Sequence, residues 1–280
     1  MGEPMDVTKI ISLDVAELEP YCTMRRTMEH RAQGIFVAEG EKVVRRLIES
    51  DLQIVSILLT QDWFDRYSNL LFGRHVEQDI FVAEKTLLEQ IVGYGLHQGI
   101  MAIGRVPEAM DIFKFSSECS IPRFFVAVDG IANSENMGVI VRNCAAFGVQ
   151  ILISGETSCD PYLRRSVRNS MGTIFELPIA KVDDLSKTLE TLQNKFAIQI
   201  IAADPKSDSE NISDVDLRSD VCLVFGSEGE GISRKVIKEC GTRMKIRMYH
   251  DVDSINVASS VGIILYEVVQ QRGDRTSGST

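Results

Sequence analysis

FFVAVDGIANSENMGVIVRNCAAFGVQILIS, residues 124–154, decides the fold. Its opening, Phe124–Val128, is apolar throughout and rich in aromatic and β-branched side chains, the composition of a parallel strand covered on both faces. Small and polar residues follow from Asp129, then Asn136–Phe147 reads as a helix and Gln150–Ile153 as a second strand. Strand, helix and strand over about 30 residues make one βαβ unit.

Working downstream, the alternation continues. Tyr162–Met171 reads as a helix, Thr173–Leu177 as a strand, Leu185–Phe196 as a helix and Ile198–Ala202 as a strand. Val221–Phe225 is a further strand, Ser233–Cys240 a helix, Met244–Ile246 a short strand and Asn256–Gln271 a long last helix. Strands and helices in this order imply a mostly parallel α/β sheet with helices on both faces. Ligands in such sheets bind beyond the carboxyl ends of the strands.

Upstream lies a second α/β segment. Gly34–Glu39 is strand-like, Glu41–Glu49 carries Val43, Val44, Leu47 and Ile48 at helical spacing, and Ile54–Leu59, Ile80–Ala83 and Ile100–Ile103 are apolar runs. Ser116, Ser117, Ser120 and Pro122 break the pattern near 115–123. The expected division is a small α/β domain over 1–115, a catalytic domain over 122–272 and a disordered polar tail from about Arg272 to Thr280.

The 280 residues carry a net charge of −10. Residues 1–120 hold 12 Lys and Arg against 19 Asp and Glu, net −7, and the remainder holds 18 against 21, net −3. Such a balance argues against a generic nucleic-acid binder, so any RNA contact must come from local basic patches. No apolar run approaches the 18–20 residues or so needed to cross a bilayer, and residues 1–11 lack a signal-peptide core, so a cytoplasmic protein is expected. The six cysteines are scattered without a CxxC pair, which argues against a metal site and for small buried hydrophobes in a reducing compartment.

Three loops fall at strand ends. In Asp129–Gly148, Asn136 and Arg142 stand six apart, about 240° on a helix, and share a face only if Asn136 caps the helix instead. That loop reads equally as a cap plus a surface arginine. Phe225–Ser233, FGSEGEGIS, lets backbone approach a ligand and offers Glu228 as an acceptor. It is neither a P-loop nor a dinucleotide fingerprint, which counts against a dehydrogenase. Asp253, Ser254 and Asn256 precede the last helix and read either as a cap or as site residues.

Taken together, the loops resemble the three signature motifs of the SpoU (TrmH-like) family, RNA ribose 2′-O-methyltransferases of the SPOUT superfamily. The first motif's N-x-G-x-x-x-R stands as Asn136, Gly138 and Arg142. The second motif's glycine and glutamate are Gly226 and Glu228, followed by Gly231, and the third motif's serine–aliphatic–asparagine is Ser254, Ile255 and Asn256. Asp160–Gly172 resembles the family's connecting segment, and the likeness covers about 123–271. The first segment is similar to the substrate-binding domain often joined to this one, through Phe36–Gly40 and His97–Ile100.

The resemblance implies a parallel-sheet catalytic domain closed by a trefoil knot, a homodimer, and S-adenosylmethionine as cofactor with no metal. It sets the cofactor's adenosine against backbone at Gly226, Ile246 and Ile255. It implies catalytic roles for Arg142, Asn136, Glu228, Ser254 and Asn256, with Arg142 as a phosphate clamp because a guanidinium holds its proton too firmly to act as a base. The substrate it implies is RNA, and the two-domain layout puts ribosomal RNA first and transfer RNA second. Candidate RNA contacts are Arg25, Arg26, His30 and Arg31, and Arg164, Arg165 and Arg168, where Arg164 and Arg168 share a helix face; solvated surface charge is the alternative for each. Where the family has a proline after Ile246 this chain has Arg247, which either loosens the cofactor loop or adds a phosphate contact. A non-catalytic RNA-binding protein that keeps the fold is the competing reading.

Overall fold

A computed structural model of the chain describes residues 7–73, 79–93, 95, 98–206, 208–250 and 252–273. In chain order these form β1 (Val7–Ile10), α1 (Glu19–Cys22), α2 (Thr27–Gln33), β2 (Ile35–Glu39), α3 (Glu41–Glu49), β3 (Ile54–Leu59), α4 (Gln61–Gly73), β4 (Asp79–Ala83), α5 (Lys85–Val92) and β5 (Ile100–Arg105). Next come α6 (Ile112–Glu118), β6 (Phe124–Asp129), α7 (Ser134–Ala146), β7 (Ile151–Ser154), α8 (Arg164–Asn169), β8 (Ile179–Lys181), α9 (Leu185–Phe196) and β9 (Gln199–Ala203). The chain ends with β10 (Glu210–Asn211), β11 (Val221–Gly226), α10 (Arg234–Ile237), β12 (Thr242–Lys245) and α11 (Val257–Gly273). Among the described residues no helix is long and apolar enough to cross a membrane.

Two compact units result. One is Met1–Glu108 with Tyr162–Glu176, and the other is Ala109–Pro161 with Leu177–Thr280. The first boundary falls ahead of the serine-rich stretch because Ser116 and Ser117 belong to α6. Asp111 starts that helix by accepting from the N–H groups of Phe113 and Lys114, and both serine hydroxyls bond back to carbonyls of their own helix. Serines that satisfy themselves in this way look like a loop in sequence.

The first unit has a five-stranded sheet, order β1-β4-β3-β5-β2, in which β5 runs antiparallel to both β3 and β2. Its core includes Leu18, Tyr21, Val37, Leu58, Met101 and Ile103. Gly40 and Gln98, from the two stretches that resemble a substrate-binding domain, meet here: Gln98 Oε1 accepts from the Glu41 N–H at 2.7 Å at the start of α3. His97 lies outside the described residues. The excursion 162–176 brings Arg164 to Glu39, a buried carboxylate, with N–H···O distances of 3.0 and 2.6 Å. Thr173–Leu177 is not a strand. Gly172, at φ +83°, turns the chain into a single 3₁₀ turn at Thr173–Phe175, whose Phe175 ring stacks 5.4 Å from Phe36. The apolar run is real but serves burial in a turn, and the strand follows at β8.

Removing Arg164 takes two charge-assisted hydrogen bonds from the buried Glu39 carboxylate, while the exposed Arg168 stands 4.0 Å from it. Arg164→Ala should cost about 3 kcal/mol of folding stability. A denaturant melt checks this, and adding Glu39→Gln to the variant should restore most of the loss; equal melts for wild type and single variant would refute the pairing.

The second unit is a seven-stranded, all-parallel sheet of order β10-β12-β9-β11-β6-β7-β8. The strands β6, β7 and β11 are buried along their whole length, as their near-continuous apolar sequences require. From β6 the chain steps outward through β7 to β8, then crosses by α9 to β9 on the far side of β11. Strand order therefore reverses around β6, β11 and β9. Their carboxyl ends form a switch point of the kind where ligands bind. Arg272 and Gly273, which in sequence look like the start of a disordered tail, belong to α11, and Arg272 donates to the carbonyls of Arg123, Leu217 and Ser219. Residues 274–280 lie outside the described residues.

Candidate active site

The residues after β9, β11 and β12 line one cavity of about 430 Å³, within the range of small-molecule sites. Gly226, Glu228, Ile246, Ser254 and Ile255 all contribute to its wall, so the second and third motifs meet in one place. Each loop has a local reason for its shape.

β6 ends at Asp129, which is buried and accepts from the Ser233 N–H at 2.8 Å and the Thr157 hydroxyl at 3.2 Å. One carboxylate thus ties the β6, β7 and β11 loops together. The cap of α7 is Asn133, whose Oδ1 accepts from the Glu135 and Asn136 N–H groups. Asn136 is therefore inside the helix and not its cap, which frees its side chain to reach Glu228.

After β11 the chain folds back on itself. Ser227 and Gly231 exchange N–H···O bonds of 3.1 and 3.0 Å, and a Cβ on Gly226 would sit 2.1 Å from the Gly231 carbonyl carbon. Only glycine fits there. The turn presents Glu228, whose Oε1 accepts from Asn136 Nδ2 at 2.8 Å and from Asn256 Nδ2 at 2.6 Å; Asn256 Nδ2 also donates to Asn136 Oδ1 at 3.1 Å. Asn256 meanwhile caps α11 through its Oδ1, which accepts from the Ala258 and Ser259 N–H groups. The three motifs are joined through one carboxylate oxygen. Helix α7 and helix α11 are also locked by Asn143, which donates to the Ala258 carbonyl at 2.8 Å beside Gly262.

Arg142 is placed differently. It is exposed on α7, has no hydrogen bond or ion pair among the described residues, and is not among the residues lining the cavity. With Asn136 helical, the two do lie on different faces. Ser254 is exposed at the cavity wall. Arg247 is also exposed, with its guanidinium over the Tyr249 ring at 5.5 Å. Sequence reasoning misses Asp129 and Asn133, although an Asp-Gly pair ending a buried strand and an Asn just ahead of a helix are recognisable signals.

The candidate RNA contacts all fall in the first unit, whereas Asn136, Arg142, Glu228, Ser254 and Asn256 fall in the second. Arg25, Arg26 and Arg31 are exposed; Arg25 donates to the Val92 carbonyl and Arg26 pairs with Glu29 at 3.3 Å. His30 does not belong with them. It is buried, hydrogen-bonds Thr23 Oγ1, and burial lowers its pKa, so it is held away from solvent. Arg164 is taken up by Glu39, while Arg168 keeps 59% of its side chain exposed. Among the cysteines, Cys144 and Cys222 are buried hydrophobes with thiol pKa values pushed up by burial, but Cys22 is exposed. No group of metal-ligating side chains occurs among the described residues.

Comparison with known proteins gives a consistent picture. A model of the SpoU rRNA Methylase family matches residues 123–266. An uncharacterized tRNA/rRNA methyltransferase of Mycobacterium tuberculosis is 27% identical over 272 residues, covering 94% of this chain and 92% of that protein. Another, from Mycobacterium leprae, is 30% identical over 247 residues, covering 86% of this chain and 72% of its own. Among solved structures, an AdoMet-bound rRNA methyltransferase from Sinorhizobium meliloti superposes with a TM-score of 0.82 at 21% identity, covering 94% of this chain and 98% of that one; this likeness concerns the fold.

Proposed function

Because the chain belongs to the SpoU rRNA Methylase family, we propose that it methylates RNA from S-adenosylmethionine, and that the acceptor is a ribose 2′-hydroxyl. The observation that carries this reading is the convergence of Asn136, Glu228 and Asn256 at a nucleoside-sized cavity lined by Gly226, Ile246, Ser254 and Ile255. Ribosomal RNA is the first choice of substrate and transfer RNA the second, in keeping with the two-unit layout and the family model's description.

The residues present fit the cofactor on two counts. Gly226 lets the turn close onto the Gly231 backbone, where a Cβ would collide, and so fixes the loop that lines the cavity, while Ile246 and Ile255 supply apolar walls for an adenine ring whose edge backbone groups can read. When bound, the cofactor supplies a sulfonium-activated methyl group, so the protein has only to align the attack and receive one proton. Glu228, accepting from two amides, braces the loops; Asn136, Asn256 and Ser254 orient the nucleotide above the cavity. Arg142, outside the cavity wall, grips RNA phosphate bidentately and holds the ribose in line.

The deciding experiment incubates the full chain with methyl-labelled S-adenosylmethionine and RNA, digests the product and separates nucleosides. Label in 2′-O-methyl nucleosides is expected. Label on a base would remove the ribose assignment, and tight RNA binding with no label would favour the non-catalytic reading.

The exposed arginines supply a second test. Arg26→Glu with Arg31→Glu should weaken RNA binding about tenfold and reduce the salt slope by roughly two phosphate contacts, with S-adenosylmethionine binding unaffected. Unchanged RNA affinity would leave both as solvated charge. A homodimer belongs to the same proposal, supported by the apolar stripe Ile263, Tyr266 and Val269, exposed on α11 at helical spacing. Sedimentation should give twice the chain mass, and Tyr266→Glu should shift it to monomer; a monomeric wild type would refute this.

A further inference from the structure

Asp204 is the polar group that the candidate site leaves unsatisfied. It follows β9 directly, lines the cavity and is only 8% exposed. Its Oδ1 accepts from the Lys206 N–H at 3.3 Å, but Oδ2 has no hydrogen-bond partner among the described residues. The Lys206 ammonium stands 3.6 Å from Oδ2, beyond hydrogen-bond reach, on a side chain that is 68% exposed. Buried carboxylate oxygens are nearly always satisfied, because losing water without gaining a donor is costly. A ligand donor in the cavity that Asp204 lines would satisfy such an acceptor.

Its position says which part of a ligand that is. In the sheet β9 lies between β11 and β12, so Asp204 sits between the strand ends that carry Gly226 and Ile246. Its own N–H donates to the Met244 carbonyl at 2.9 Å, which fixes the backbone at that point. Gly226 and Ile246 are the positions given to adenosine in the proposed function, on which this inference rests. Backbone groups can read the adenine edge; the remaining donors of a nucleoside are its ribose hydroxyls. A carboxylate at a strand end accepting from a ribose hydroxyl recurs in nucleotide-binding parallel sheets.

We propose that Asp204 binds the ribose of the cofactor, its carboxylate accepting a hydrogen bond from a ribose hydroxyl, with Lys206 as the outer counter-ion. Asp204 is a cofactor-binding residue in this assignment and takes no part in proton transfer. The ligand it selects is a ribonucleoside, not the amino-acid end of S-adenosylmethionine.

Calorimetry on the full chain tests this with three ligands: S-adenosylmethionine, 5′-methylthioadenosine, and the 2′,3′-dideoxy form of the latter. Asp204→Ala should weaken the first two by tenfold or more and leave the dideoxy compound unchanged, so that the hydroxyl preference of the wild type disappears. The melting temperature without ligand should change little, since the Oδ1 bond and the exposed Lys206 ion pair that are lost are offset by removing an unsatisfied buried oxygen. Asp204→Asn, which keeps Oδ1 and the side-chain shape, should fall between and stands in should the alanine variant not fold. A hydroxyl preference that survives in the variants would overturn the assignment. So would weakening of S-adenosylmethionine alone, which would move the contact to the amino-acid end. A wild-type chain that binds neither adenosyl ligand would overturn the cofactor reading itself.

Discussion

Arg142→Ala should reduce methyl transfer by about 10²–10³-fold while S-adenosylmethionine affinity stays within about twofold. The separation follows from placement. Arg142 is exposed on α7, carries no hydrogen bond or ion pair among the described residues and does not line the cavity, so neither folding nor cofactor binding depends on it. What it offers is a planar fork of donors suited to a phosphate, which a point-charged lysine does not reproduce. Arg142→Lys should therefore recover little. Single-turnover kinetics and equilibrium cofactor binding on the same preparation check both halves, and retained turnover in the alanine variant would take Arg142 out of the mechanism.

Gly226→Ala should abolish measurable cofactor binding, with the melting temperature falling by several degrees. The added carbon would lie 2.1 Å from the Gly231 carbonyl carbon and 2.2 Å from the Ile232 nitrogen, both backbone atoms that no side-chain rotation can clear. The turn must open, which breaks the Ser227–Gly231 pairing and carries Glu228 away from Asn136 and Asn256. A clash of this kind costs several kcal/mol, and 1 kcal/mol shifts the midpoint by about 2–4 °C in a domain of this size. Gly229, further along the same turn, has open space where a Cβ would project, with nothing within 4 Å. Gly229→Ala should thus bind the cofactor near normally, and equal losses in the two variants would show that loop flexibility, not the close approach at Gly226, is what matters.

The second unit is largely legible in sequence because its strands are buried on both faces and punctuated by polar loops. The α9 span, Leu185–Phe196, agrees with its apolar periodicity residue for residue, and β6, β7 and β11 agree within one residue or so. Legibility fails where local chemistry imitates another state. Ser116 and Ser117 bond to their own helix and look like a break. Thr173–Phe175 is β-branched and aromatic yet turns at Gly172 to stack on Phe36. Asn136 resembles a cap in sequence, but Asn133 performs that role; the two differ only in which side-chain carbonyl meets the free N–H groups. Sequence order shows the site as three loops at strand ends. That a single oxygen of Glu228 joins them depends on long-range packing that spacing does not encode. Asp204 gives no signal at all. In sequence it is one acid among many, and its distinction is a buried oxygen without a hydrogen-bond partner among the described residues.

The Glu39–Arg164 pair also bears on how this protein can be taken apart. The first unit is discontinuous, since Tyr162–Glu176 is encoded within the second half of the chain. A truncation ending at residue 108 would strip Glu39 of its guanidinium and Phe36 of Phe175, while the complementary fragment would carry an orphaned apolar excursion. Domain dissection, chimaeras and gene fusions therefore have to move the two stretches as one cargo, joined by a linker or supplied in trans.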